Sequence, residues 1–185
     1  HIEAHSFPTR RSSDLEVLIM ENKYSKILVA VDGSKQAEWA FKNAVAIAQR
    51  NEDAELYIAS VIDATIATSG LSDPYIFNSF YKRTKELVDS YADAAKEAGL
   101  TKVFGIVEQG IPKIVLSEDI VDEKGIDLVV CGSSGLTGFK RMLMGSVSEG
   151  IVRYAKCDVI IIKQRSIPED FEATIAKKFQ EDQDK

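Results

Sequence analysis

Five short apolar runs alternate along the chain with longer stretches in which apolar residues return every three or four positions. The runs are 26–31, 56–62, 103–107, 126–130 and 158–162. Their near-continuous hydrophobicity is that of strands covered on both faces, as in a parallel sheet. Between the first two, Ala37, Ala40, Phe41, Ala44, Ile47 and Ala48 fall at helical spacing behind Ser34, a good N-cap. Phe80, Leu87, Tyr91, Ala94 and Ala98 trace a second helix that Gly99 ends, in the place a left-handed C′ residue takes. Gly110-Ile111-Pro112 opens a third, with apolar Ile114, Val115, Ile120 and Val121 and a stop at Gly125. Residues 147–155 supply a fourth.

The order is β-α-β-α-β-α-β-α-β, without an internal repeat or linker, and it predicts a doubly wound α/β sandwich around a parallel sheet. In such folds ligands bind beyond the carboxyl ends of the strands, where the strand order reverses. If the first and fourth strands meet there, Asp32 and Gly132 face one crevice. Residues 64–77 contain Gly70 and Pro74 and show no period, so they are expected to be a loop near the strand ends. The charged tail from Ser166 to Lys185 carries Phe171, Ile175 and Phe179 at i, i+4 and i+8. A short amphipathic helix is possible there, docked on the domain or on a partner, with disorder the alternative.

Residues 6–15, SFPTRRSSDL, match one reading frame of a common sequencing adapter. Residues 1–19 are therefore expected to be a non-native extension that contributes nothing to the fold, with a domain over 20–164 and a tail over 165–185. Both histidines, His1 and His5, fall in the extension, which leaves the expected domain without a histidine base or ligand.

Composition narrows the function. A net charge of −6 argues against a general nucleic-acid surface, and no apolar run is long enough to span a bilayer. Cys131 and Cys157 form no metal-binding or redox spacing and read as small buried hydrophobes.

The candidate chemistry lies after the fourth strand: Cys131-Gly132-Ser133-Ser134-Gly135, nine residues, then Gly145-Ser146-Val147-Ser148-Glu149. Glycines at a strand end and a helix start let the backbone approach a ligand, and the first helical amides have no intrahelical acceptor. With the helix dipole they make an anion site, most often for phosphate. No Lys-Ser or Lys-Thr follows the glycines, so this is not the P-loop of NTPases, and the spacing is not GxGxxG. Ser146 with Glu149 also fits an S-x-x-E capping box, which would use the hydroxyl on its own helix.

The G-x2-G-x9-G-S pattern resembles the nucleotide loop of the ATP-binding branch of the universal stress protein family. Two other places are similar to that family: Ile27-Leu28-Val29-Ala30-Val31-Asp32-Gly33-Ser34 and Ser60-Val61-Ile62-Asp63. The resemblance spans about residues 24–163. It implies a sheet of five parallel strands in the order 3-2-1-4-5, helices on both faces, and homodimers often joined along the fifth strand. It assigns the adenine to Asp32 and Val61, the ribose region to Gly132 beside Cys131, and the phosphates to Gly135, Gly145, Ser146 and Val147. Ser134 stands where many members have histidine, and Cys131 where they have an apolar residue; neither change removes a backbone donor. The long tail bears on the dimer, because it follows the strand through which the family pairs.

By resemblance, then, the expected function is a cytoplasmic ATP-binding stress protein, with magnesium carried on the phosphates and no catalytic residue. Lys35, Lys140 and Arg141 could add charge near the phosphates. The alternatives are a member that works only through dimer or partner surfaces, and a slow ATP hydrolase. An adenylating relative would carry an SGG-x-DS-type loop after its first strand, which this chain lacks.

Overall fold

The computed structural model describes residues 23–65, 74–135 and 144–181. The adapter-like segment, residues 66–73, and Lys140 and Arg141 lie outside the described residues.

Five parallel strands form one sheet in the order β3-β2-β1-β4-β5. They are β1 (Lys26–Ala30), β2 (Glu55–Asp63), β3 (Val103–Gly110), β4 (Leu128–Gly132) and β5 (Asp158–Ile162). The helices are α1 (Lys35–Arg50), α2 (Pro74–Glu97), a composite α3 over 112–124, α4 (Ser146–Tyr154) and α5 (Thr174–Glu181). Within α3, Val115–Asp119 is π-helical. Among the described residues no helix is long and apolar enough to cross a membrane.

Strand alternation separates the core into two layers. Ile27, Val29 and Val31 point to one side with Phe41, Ala44, Leu87 and Tyr91 of α1 and α2. Leu28 and Val129 point to the other, with Val115, Leu116, Ile120 and Ile151 of α3 and α4. Small residues set the spacing on that side. A β-carbon added at Gly150 of α4 would come within 2.6 Å of the Lys113 β-carbon, so the two helices meet at the glycine.

Several expected boundaries shift. β3 runs on to Gly110, which pairs with Asp63 instead of opening a helix. β4 begins later and includes Cys131 and Gly132, both paired with β5, so the strand carries the first glycine into the site. Residues 74–77, expected in a loop, are the first turn of α2: proline is tolerated there because its missing N–H would have had no acceptor. The buried face of α2 is Leu87, Val88, Tyr91, Ala92 and Ala95, whereas Phe80 is 45% exposed and Ala98 lies beyond the helix. The tail forms a docked helix, α5, packed against α1 and α2.

Candidate functional site

β1 and β4 are the central neighbours at which the chain switches direction across the sheet. Beyond their carboxyl ends lies a crevice of about 290 Å³, near the roughly 300 Å³ at which small-molecule pockets begin. Asp32, Val61, Cys131, Gly132, Gly135, Gly145, Ser146 and Val147 all line it, so the structure brings these eight expected residues together. Its apolar floor adds Ala30, Leu116 and Ile151. Leu116 comes from the π-helical segment, whose position no spacing rule in the sequence marks.

The Asp32 turn is built locally. Asp32 Oδ1 accepts from the Ser34 N–H at 3.0 Å, and Ser34 Oγ caps α1 by accepting from the Ala37 N–H at 3.1 Å. Gly33 between them has φ +79°, a conformation that favours glycine. The other Asp32 oxygen faces Gly135 so closely that a β-carbon there would lie 2.2 Å away. Gly135 is thus glycine because Asp32 needs the room.

The other wall is held by side chains that the sequence reading passed over. Gln36 Oε1 accepts from the Ser134 N–H at 3.0 Å and from its hydroxyl, tying the glycine loop to α1. Ser148 Oγ, in a side chain buried within α4, donates to the Gly132 carbonyl at 2.7 Å. The Gly145 N–H donates to the Ser133 carbonyl at 2.7 Å. Together these fix the start of α4 against the end of β4.

The capping box is not formed. Gly145 is the N-cap, without a side-chain cap bond, and Ser146 is the first helical residue. Glu149 Oε1 instead accepts from Arg153 Nη2 at 2.9 Å, one turn along the exposed surface. The first intrahelical bond runs from the Glu149 N–H to the Gly145 carbonyl. The amides of Ser146, Val147 and Ser148 precede it and open toward the crevice with the positive end of the helix.

Gly145 differs from Gly135. Its φ of −79° and ψ of 160° suit any residue, and among the described residues an added β-carbon would meet only Ser134 Cα at 3.5 Å and Ser133 O at 3.6 Å, ordinary contacts. The fold itself therefore has room for a side chain at this position. Cys131 is buried, and burial pushes its thiol up to about 12, away from reactivity. Lys35, a candidate for phosphate charge, instead has its ammonium 5.6 Å from the centre of the Phe171 ring in the tail.

A doubly wound α/β protein with an open helix N-terminus at its switch point is the class this geometry defines. The family model of the universal stress protein family matches residues 23–163, and the chain belongs to that family. A universal stress protein of Staphylococcus haemolyticus is 43% identical over 154 residues, covering 83% of this chain and 93% of the relative. Among solved structures, universal stress protein UspA from Lactobacillus plantarum has a TM-score of 0.68 at 29% identity, over 76% of this chain and 98% of that one. A universal stress protein in complex with cAMP gives a TM-score of 0.57 at 28% identity, over 77% and 98% of the two chains.

Proposed function

We propose that the crevice binds an adenine nucleotide, ATP by preference, and that the protein is a nucleotide-dependent regulator or binding module of the stress response. The observation that carries this is the start of α4: amides without an intrahelical acceptor, no side-chain cap, and space at Gly145 that the described residues leave open. That a related universal stress protein is seen in complex with cAMP supports an adenine ligand here. Asp32 and Val61 would take the adenine, Gly132 and Cys131 the ribose edge, and Gly135, Gly145, Ser146 and Val147 the phosphates.

Among the described residues no group of three His, Cys, Asp or Glu side chains could hold a metal ion. Magnesium would accordingly arrive with ATP and be held by phosphate oxygens and water. We read the protein as cytoplasmic and homodimeric. β5 is an edge strand that a second copy could pair with, and α5 packs on α1 and α2 rather than claiming that edge.

The test is to heat-denature purified protein and analyse the released small molecules by mass. Adenine nucleotide should be released from the natural chain after incubation with ATP and gel filtration, and not from folded Gly145→Val protein. Equal release from both would remove the glycine loop from the site.

A further inference from the structure

The segment after β5 lies beyond the residues matched by the family model, 23–163, yet its contacts converge on the turn that carries Asp32. The Phe179 ring fills the space beside Gly33: a β-carbon built there would lie 2.5 Å from Phe179 Cδ1. Gln180 Nε2 donates to the Gly33 carbonyl at 2.9 Å. In the first turn of α5, the Ala176 N–H donates to Glu38 Oε2 at 2.7 Å. Glu38 is 1% exposed, and a carboxylate buried to that degree is costly unless hydrogen-bonded. The tail thus supplies a partner that α1 needs, and Glu38 in turn satisfies an amide at the helix start.

Two further contacts extend the seat. Phe171 packs on Trp39 with ring centres 4.8 Å apart, and the Arg83 guanidinium lies 5.7 Å from the centre of the Phe179 ring. No described tail residue lines the crevice itself, so α5 grips the turn from behind, and Gln180 reaches only a neighbouring cavity that shares Gly135. The gripped residue is also the one with the most backbone freedom, since glycine at φ +79° joins Asp32 to the α1 cap.

We propose that α5 is a clamp on the 32–34 turn: its docking fixes Gly33 and so presents Asp32 to the crevice, and a nucleotide held there strengthens the docking in return. Phe179 and Gln180 are the positioning residues. The second half of the proposal rests on the nucleotide reading above; the first half does not. Coupling between two such equilibria is reciprocal, so the factor by which the tail raises affinity is the factor by which the ligand tightens the tail.

The experiment uses the full chain with Phe179→Ala and, separately, Gln180→Ala. Trp39 is the chain's single tryptophan and lies against the tail, so its emission reports docking. Amide hydrogen exchange over residues 32–36 reports the turn, and calorimetry reports ATP affinity. In Phe179→Ala, exchange at the turn should quicken about tenfold while β1 and β4 keep their protection, and ATP affinity should fall about fivefold or more, within the usual range of coupling. Gln180→Ala should move both in the same direction by less, and ATP should shift Trp39 emission toward the docked value. Unchanged exchange at the turn overturns the clamp, as does unchanged or improved ATP affinity in a variant whose tail has been released. Should β1 and β4 also lose protection in Phe179→Ala, the Gln180→Ala result decides. If the natural chain binds no adenine nucleotide, the proposed function fails, and exchange at the turn alone decides whether α5 is a clamp.

Discussion

Gly135 and Gly145 look alike in the sequence, and the structure gives them different reasons. A side chain at 135 would displace the Asp32 carboxylate, so Gly135→Val should perturb the turn as well as any ligand. Gly145→Val should instead melt within a degree or two of the natural chain, because its backbone is extended and the space is open, yet lose at least tenfold in ATP affinity. Thermal melts with calorimetry on the same sample check both halves. Ser146→Ala should leave stability unchanged, since Gly145, and not Ser146, is the N-cap of α4 and no side-chain cap bond is made there. The motif was legible because glycine spacing survives in one dimension. Gln36 and Ser148 were not, because what they do depends on a β4 end that only the fold brings to them. Titration gives a further residue-scale prediction. Burial moves the Cys131 thiol from 9.0 to about 12, and burial followed by the Glu55 hydrogen bond moves the Tyr57 phenol from 10.0 to about 12. Above pH 9 the unfolded chain then holds fewer protons than the native one, so stability falls as pH rises. Their contribution is whole below the unfolded values and is lost as pH approaches 12. Urea midpoints from pH 8 to 11 should decline, and decline less steeply in Cys131→Ala.

At the scale of elements, the wall of the crevice depends on how closely α4 approaches α3. Gly150→Ala would ordinarily strengthen a helix by up to about 1 kcal/mol. Here the new β-carbon meets Lys113, so the substitution should destabilise by about 1–3 kcal/mol. Denaturant unfolding measures it, and a stabilised protein would show that α4 is free to move outward. The five strands were legible from their apolar runs: β5 falls where its run lies, β2, β3 and the end of β4 extend one to three residues further where pairing outlasts the hydrophobic pattern, and β1 and the start of β4 fall one or two residues short. On α2, Leu87 and Tyr91 lie on the buried face as expected, but Phe80 does not, because the first turns, with exposed Tyr75, Phe80 and Tyr81, are apolar without being buried. The tail helix showed in the spacing of Ile175 and Phe179, whereas Phe171, expected on the same helix, lies before its first residue. The seat of the helix did not show, because Glu38 reads from sequence as a solvent-facing position of α1.

For the whole molecule, the proposed function predicts nucleotide binding with slow chemistry or none. Rapid phosphoryl transfer requires charge neutralisation across the phosphates and an oriented nucleophile. The described lining offers backbone amides, hydroxyls and one carboxylate, Asp32, already engaged by its own turn. With protein in excess over labelled ATP, hydrolysis should have a half-life of minutes or longer. A rate above about 1 s⁻¹, within the usual enzyme range, would make the protein an enzyme. The most direct measurement is calorimetric titration of the natural chain with ATP, ADP, AMP and cAMP, with and without magnesium. The account predicts one site per chain, saturable by ATP and weakened at least tenfold by Gly145→Val. Absence of heat and of competition for all four nucleotides, in protein that melts cooperatively, would contradict it.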